Sequence, residues 1–149
     1  MPTFGASGSI APAATKTSLI LTGSATLRSR IVAFRIGTTG APSSDASVQV
    51  FVRQSTAAGT STSVTPRPKN GVSVAGGTAG SNCSVEPTYT AGEPMLDVVF
   101  NPRSFGQFQA YNPDAELCFL AVSANGLGFQ IQAAGGALTT VDTNCDFVE

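Results

Sequence analysis

The chain contains no histidine; among the side chains left for acid–base or nucleophilic work are nine carboxylates, three cysteines and two tyrosines. Without imidazole the usual general base is gone and neither a Ser-His-Asp triad nor a Cys-His dyad can be assembled, while carboxylate pairs remain possible. Candidate carboxylate pairs are Asp142 with Asp146 and Glu86 with Glu93. On a strand, side chains four residues apart share a face at a separation of ~13 Å, wider than either glycosidase geometry. A working pair would therefore have to form across strands, and solvated carboxylates at turns and rims are the plainer expectation.

Cys83, Cys118 and Cys145 include no CxxC spacing, and three thiolates plus a carboxylate at these separations make a poor zinc site. Cys118 lies inside the apolar run Leu117 to Val122 and is expected to pack as a small core residue. Cys83 and Cys145 could pair, but synthesis in a reducing cytoplasm favours free thiols. "GTTGAPSS" lacks the lysine and the helix of a phosphate loop. "TAAGTSTS" would be a mucin-like tract only in a secreted protein. The reading from chemistry is no enzyme, no cofactor and no metal.

The elements that would have to position any site have a period of two. Strands are predicted at 18–23, 26–37, 46–55, 82–90, 94–101, 105–112, 116–123, 127–134 and 137–149, joined by "NPRS", "NPD" and "ANG". Val48, Val50 and Val52 alternate with Gln49, Phe51 and Arg53, and Pro87 demotes its segment to an edge. No convincing helix and no internal repeat is found. Short strands with Gly/Pro turns predict an all-β fold: an antiparallel jelly-roll β-sandwich of about eight strands with one long insertion loop, residues 55–82. An immunoglobulin sandwich would carry a Cys…Trp…Cys spacing, and tryptophan is absent. Phe34, Phe51, Phe100, Phe119, Phe129 and Phe147 are the expected large core side chains. Residues 1–17 read as an N-terminal arm and 18–149 as one domain.

Charged residues are only 11% of the chain, so Ser, Thr, Gly, Ala, Asn and Gln must cover much of its surface. Such a surface is cheap to dehydrate against another protein. Residues 1–75 carry +6 and residues 76–149 carry −7. Either these halves form complementary patches, or strands from both interleave and the charges mix. The cations are too scattered, and too bare of neighbouring aromatics, for a nucleic-acid groove. The N-terminus has no signal-peptide pattern, and the longest apolar run is far short of the roughly 20 residues of a membrane span. A soluble protein made in the cytoplasm is expected, with no membrane partner.

Three stretches, "RQSTAAGTSTSVTPRPKN", "NCSVEPTYTAGEPML" and "FNPRSFGQFQAYNPDAEL", resemble a group of small tailed-phage proteins. In that group a strand ending R-x-T-A-A-G-T leads to V-T-P, then E-P-T-Y-T, then a strand of the form N-x-R. The likeness runs from about Ile31 to the end of the chain, and its motifs are turn and edge signatures. The resemblance implies a virion component, similar to jelly-roll decoration (cement) proteins that sit as homotrimers on the outside of the head. The implied partners are the major capsid protein and further copies of this chain, and the implied location is the capsid surface. Cys83 and Cys145 depart from the group's pattern and leave disulfide cross-linking open.

On this reading residues 55–82 are a docking segment, with Thr60, Val64, Arg67 and Lys69 as contacts. The N-terminal arm is a second, anchored by Phe4 and Ile10. Two other classes compete: a tail-fibre or adhesin-type carbohydrate-binding module with Tyr89 or Tyr111 under the sugar, and a sandwich hydrolase with a carboxylate site.

Overall fold

Alternating apolar residues form strands wherever a second sheet can cover one face, and the computed structural model arranges two such sheets against each other. It describes residues 1–11, 13–42, 44–71, 73–120, 122, 124–133 and 140–149. The strands are β1 (Thr3–Ile10), β2 (Thr17–Thr22), β3 (Arg30–Thr39), β4 (Val48–Ala57), β5 (Thr60–Val64), β6 (Arg67–Pro68) and β7 (Thr78–Val85). They continue with β8 (Thr88–Tyr89), β9 (Leu96–Phe100), β10 (Phe105–Gln109), β11 (Leu117–Cys118), β12 (Gly126–Ala133) and β13 (Thr140–Val148). Among the described residues the helical element is a 3₁₀ turn at Pro113–Ala115, capped by the Asn112 side chain. The expected strand positions Ala121, Ser123, Ala134 and 137–139 lie outside the described residues.

One sheet has the order β10-β3-β13-β1-β6, and the other β5-β7-β2-β12-β4, with β8 and β9 both beside β4. Taking the eight principal strands alone, the sheets are β1-β13-β3-β10 and β2-β12-β4-β9, all pairs antiparallel. Successive strands alternate between sheets, except where β4 turns back beside β9. That connectivity is the jelly roll.

The two sheets enclose one apolar core. Val48, Val50 and Val52 have no exposed surface, and Phe34, Phe100, Phe119, Phe129 and Phe147 are buried with them. Phe51 is the exception among the expected core residues: alternation turns it to the outer face, where it is half-buried. Phe34 meets Phe129 edge-on from the opposite sheet, with centroids 5.1 Å apart. Cys118 is half-buried rather than core, and all three cysteines are free thiols.

Two expectations need correction. Residues 1–17 are not an arm. Residues 3–10 form β1, which pairs with β13 on one side and β6 on the other. Phe4 and Ile10 are 0% and 6% exposed, because "TFGASGSI" puts Phe4, Ala6 and Ile10 on its inner face. The insertion between β4 and β9 is indeed long, but it is not a free loop awaiting an outside partner. It is a hairpin whose β5 and β7 pair with each other while β7 also adds to the free edge of β2. At its tip β6 adds to the free edge of β1 in the other sheet. Two open sheet edges order it, by supplying the main-chain hydrogen bonds that its small side chains do not need to assist.

The charges mix. Each of the four ion pairs among the described residues joins the cationic to the acidic half or bridges an exception in either: Lys16–Glu86, Arg30–Glu116, Lys69–Asp146 and Arg103–Asp45.

Candidate functional site

β2 is buried at all six positions, so something covers the face turned away from the core. The cover comes from the returning arm of the insertion, whose residues 86–89 fold back over this sheet. Gly128 of β12 pairs with Ile20 on one side and Arg53 on the other, and Tyr89 lies across it. A Cβ at position 128 would overlap the Tyr89 hydroxyl, so glycine is required there for close approach.

The tyrosine ends in a polar relay. The Thr17 hydroxyl donates to Glu86 Oε2 at 2.6 Å, and the Thr17 amide donates to Glu86 Oε1 at 3.2 Å. A hydroxyl has one proton, so at its 2.6 Å contact with Thr17 Oγ1 the Tyr89 hydroxyl is the donor. The Arg53 guanidinium lies over the Tyr89 ring at 5.1 Å from the centroid and also donates to Gln130. Burial pushes the Tyr89 phenol above its ordinary range, against the pull of its bond to Thr17. Burial, reinforced by Glu86, pushes the Cys83 thiol up to about 11. Burial likewise raises the Cys145 thiol. Cys145 lies in the core, whereas Tyr89 and Cys83 are held protonated on the insertion itself, which suits a fastening of the insertion to the sandwich. Among the described residues no group of three His, Cys, Asp or Glu stands close enough to hold a metal ion.

The end of the sandwich where β2 leaves and β3 enters is different. Three connections meet there: residues 23–29, residues 73–77, and the stretch after β11 that is described at 119–120, 122 and 124–125. The Gly23 amide donates to the Asn125 carbonyl at 2.8 Å, and a Cβ on Gly76 would lie 3.1 Å from Leu27 Cδ1. The Glu149 carboxylate, 8% exposed, fastens the junction by accepting from Ser29 Oγ and the amides of Gly76 and Gly77 at 2.7–2.9 Å. On this scaffold Leu27, Val74, Leu120 and Val122 are 43%, 91%, 55% and 47% exposed. Tyr111 follows β10 at the same end and is 88% exposed. Sequence reading missed these exposed residues, because each sits among Ser, Thr, Ala and Gly in "GSATLRS", "GVSVAGG" and "FLAVSANG".

The residues expected to make contacts divide. Phe4 and Ile10 are core and are unavailable to a partner. Val64, Arg67 and Lys69 come together along one groove with Gly5 and Ser7, Lys69 pairing with Asp146 at 3.0 Å. Val64 is half-buried and packs on the core, while Thr60 is exposed at the other end of β5, opposite Val85. Residues 57–63 cover the junction of β4 and β5, where Gly59 has φ +70° and passes the Val85 carbonyl too closely for any side chain. Of the two tyrosines expected under a sugar, Tyr89 is half-buried with its hydroxyl bonded to Thr17, and Tyr111 stands free on a turn. Comparison with known proteins found no family model, no curated protein and no solved structure that matches the chain.

Proposed function

We propose that this protein is a phage-head decoration, or cement, protein, binding the outside of the shell across junctions between major capsid subunits. The observation that carries the reading is the apolar end of the sandwich. Large exposed apolar side chains stand on three loops that meet at this end, Val74 beside residues 65–68 and Leu120 beside residues 54–56, and each gains by leaving water against another protein. They stand on a base fixed by the Glu149 carboxylate, so docking costs little ordering. The rest of the exterior has few ions to strip of water, and the repeated turn signatures of the sequence resemble those of small virion proteins. Homotrimers would let several contacts of modest strength act together. The reading assigns the chain adhesion and no catalysis.

The test is made on particles. Purified heads should contain the chain at a fixed stoichiometry to the major capsid protein, and image reconstruction should place the loop end against the shell. Leu120→Asp, with an unchanged melting temperature, should weaken binding to undecorated shells at least tenfold. Absence of the chain from purified particles, or its presence only in tails, would refute the proposal.

A further inference from the structure

We propose that the outer face of the sheet β10-β3-β13-β1-β6 is a second binding site, one that takes an extended, uncharged oligosaccharide. The register places side chains in three rows across this face: Gln109, Ala33, Asp146 and Gly5; then Gln107, Arg35, Asn144 and Ser7; then Phe105, Gly37, Asp142 and Ser9. Hollows of about 690, 370 and 300 Å³ adjoin on it, and Asn144 lines all three. They form a trough because β1 contributes only Gly5, Ser7 and Ser9 to the floor, while residues 63–69 of the insertion rise along one side. From β10 to β6 the trough crosses four strand spacings, ~19 Å.

The chemistry of the floor selects the ligand. Asp142, Asn144, Gln107, Gln109 and Ser7 have polar atoms that make no hydrogen bond or ion pair within the described protein. Planar amides of this kind both donate and accept, and a carboxylate accepts at two oxygens, as neighbouring sugar hydroxyls require. Asp142 and Asp146 are balanced by Arg35 and Lys69, with Arg67 at the rim, so the floor favours neither a polyanion nor a polycation. Phe105, 47% exposed beneath the Arg35 guanidinium, gives the trough an apolar end against which a ring can pack. A peptide would seek free main-chain groups; those of β13 and β3 are paired on both sides over most of their length, and on β1, beyond the two residues paired with β6, the Ser9 amide and carbonyl are both taken by the Ser81 hydroxyl. The site stands independently of the capsid reading, since it occupies a face of the sandwich and not the loop end.

The experiment is titration of the ¹⁵N-labelled protein with cellohexaose, maltohexaose, chitohexaose, mannohexaose and neutral fragments of bacterial surface polysaccharide. A heparin hexasaccharide and a single-stranded oligonucleotide serve as anionic controls. At least one neutral saccharide should shift the amides of Ser7, Asn144 and Gln107 together. Ser7→Trp, which fills the trough at an exposed strand position, should weaken that binding at least tenfold, and Asn144→Ala several-fold, with melting temperatures unchanged. Should Ser7→Trp fail to fold, the shift map and Asn144→Ala decide. Binding to none of the neutral saccharides, binding to the anions alone, or shifts confined to other faces would overturn the proposal.

Discussion

Replacing Thr17 by valine keeps the shape of the side chain and deletes the hydroxyl that links Tyr89 to Glu86. Two losses follow. The Tyr89 hydroxyl, part-buried over Gly128, loses its acceptor; an orphaned buried donor costs about 1–3 kcal/mol, and a part-buried one falls toward the lower end. Glu86 loses a hydrogen bond to a charged acceptor, nominally about 1.5–3 kcal/mol. Its side chain is 26% exposed, so water recovers part of that. The expected total is about 2–4 kcal/mol, or, at ~2–4 °C per kcal/mol for a chain of this size, a fall in Tm of roughly 4–16 °C. Tyr89→Phe should cost less, about 1 kcal/mol, because Thr17 keeps its bond to Glu86. The decisive comparison is the double variant. Once Thr17 is valine the tyrosine hydroxyl is only a liability, so adding Tyr89→Phe should cost nothing further or recover stability. Urea unfolding of the four proteins measures this cycle. Thr17→Val within about 0.5 kcal/mol of the parent, or two costs that simply add, would refute the donor assignment and the fastening role with it.

Phe4→Ala should destabilise by about 3–5 kcal/mol in chemical denaturation, the range for emptying an aromatic core position; an arm residue would cost almost nothing. Alkali should weaken the fold in a defined window. Cys83, Cys145 and Tyr89 hold their protons more tightly folded than unfolded, so their contribution is complete below the ordinary thiol and phenol range and is lost as pH rises above it, for Cys83 through about 11. Urea midpoints at pH 7, 9 and 10.5 should fall only over the last step, and a thiol reagent at pH 7 should leave Cys83 and Cys145 unmodified until denaturant is added. Glu149→Ala removes the acceptor for Ser29, Gly76 and Gly77, and should cost about 1–3 kcal/mol. Amide exchange of Gly77 should accelerate well beyond that of the β-core.

What could be read from the sequence was whatever repeats locally. The valines at 48, 50 and 52 declare a face by themselves, and the turns at "NPRS" and "NPD" declare a reversal, so the sandwich and its jelly-roll class were legible. β1 was not. Its inner face is Phe4, Ala6, Gly8 and Ile10, and the two small residues dilute the alternation below recognition; its identity as a strand comes from β13, more than 130 residues away. β5 and β7 are more extreme, with hardly a large side chain between them, and are strands because β2 and each other need partners. The relay of Thr17, Glu86 and Tyr89 has no motif, since its members meet only after the insertion crosses the sheet over Gly128. The apolar end is equally invisible, being made of single residues from separate connections.

The insertion also determines which edges the sandwich shows to other copies of itself. On one flank it ends one layer with β5 and the other with the two residues of β6, while β9 and β10 end the layers on the opposite flank. The edges it supplies are short, and Pro68 has no amide hydrogen to offer. Short, proline-bearing edges are poor templates for adding a strand from a neighbour. An assembly of copies on that flank should therefore be held by side chains, and its strength should track those side chains rather than backbone pairing.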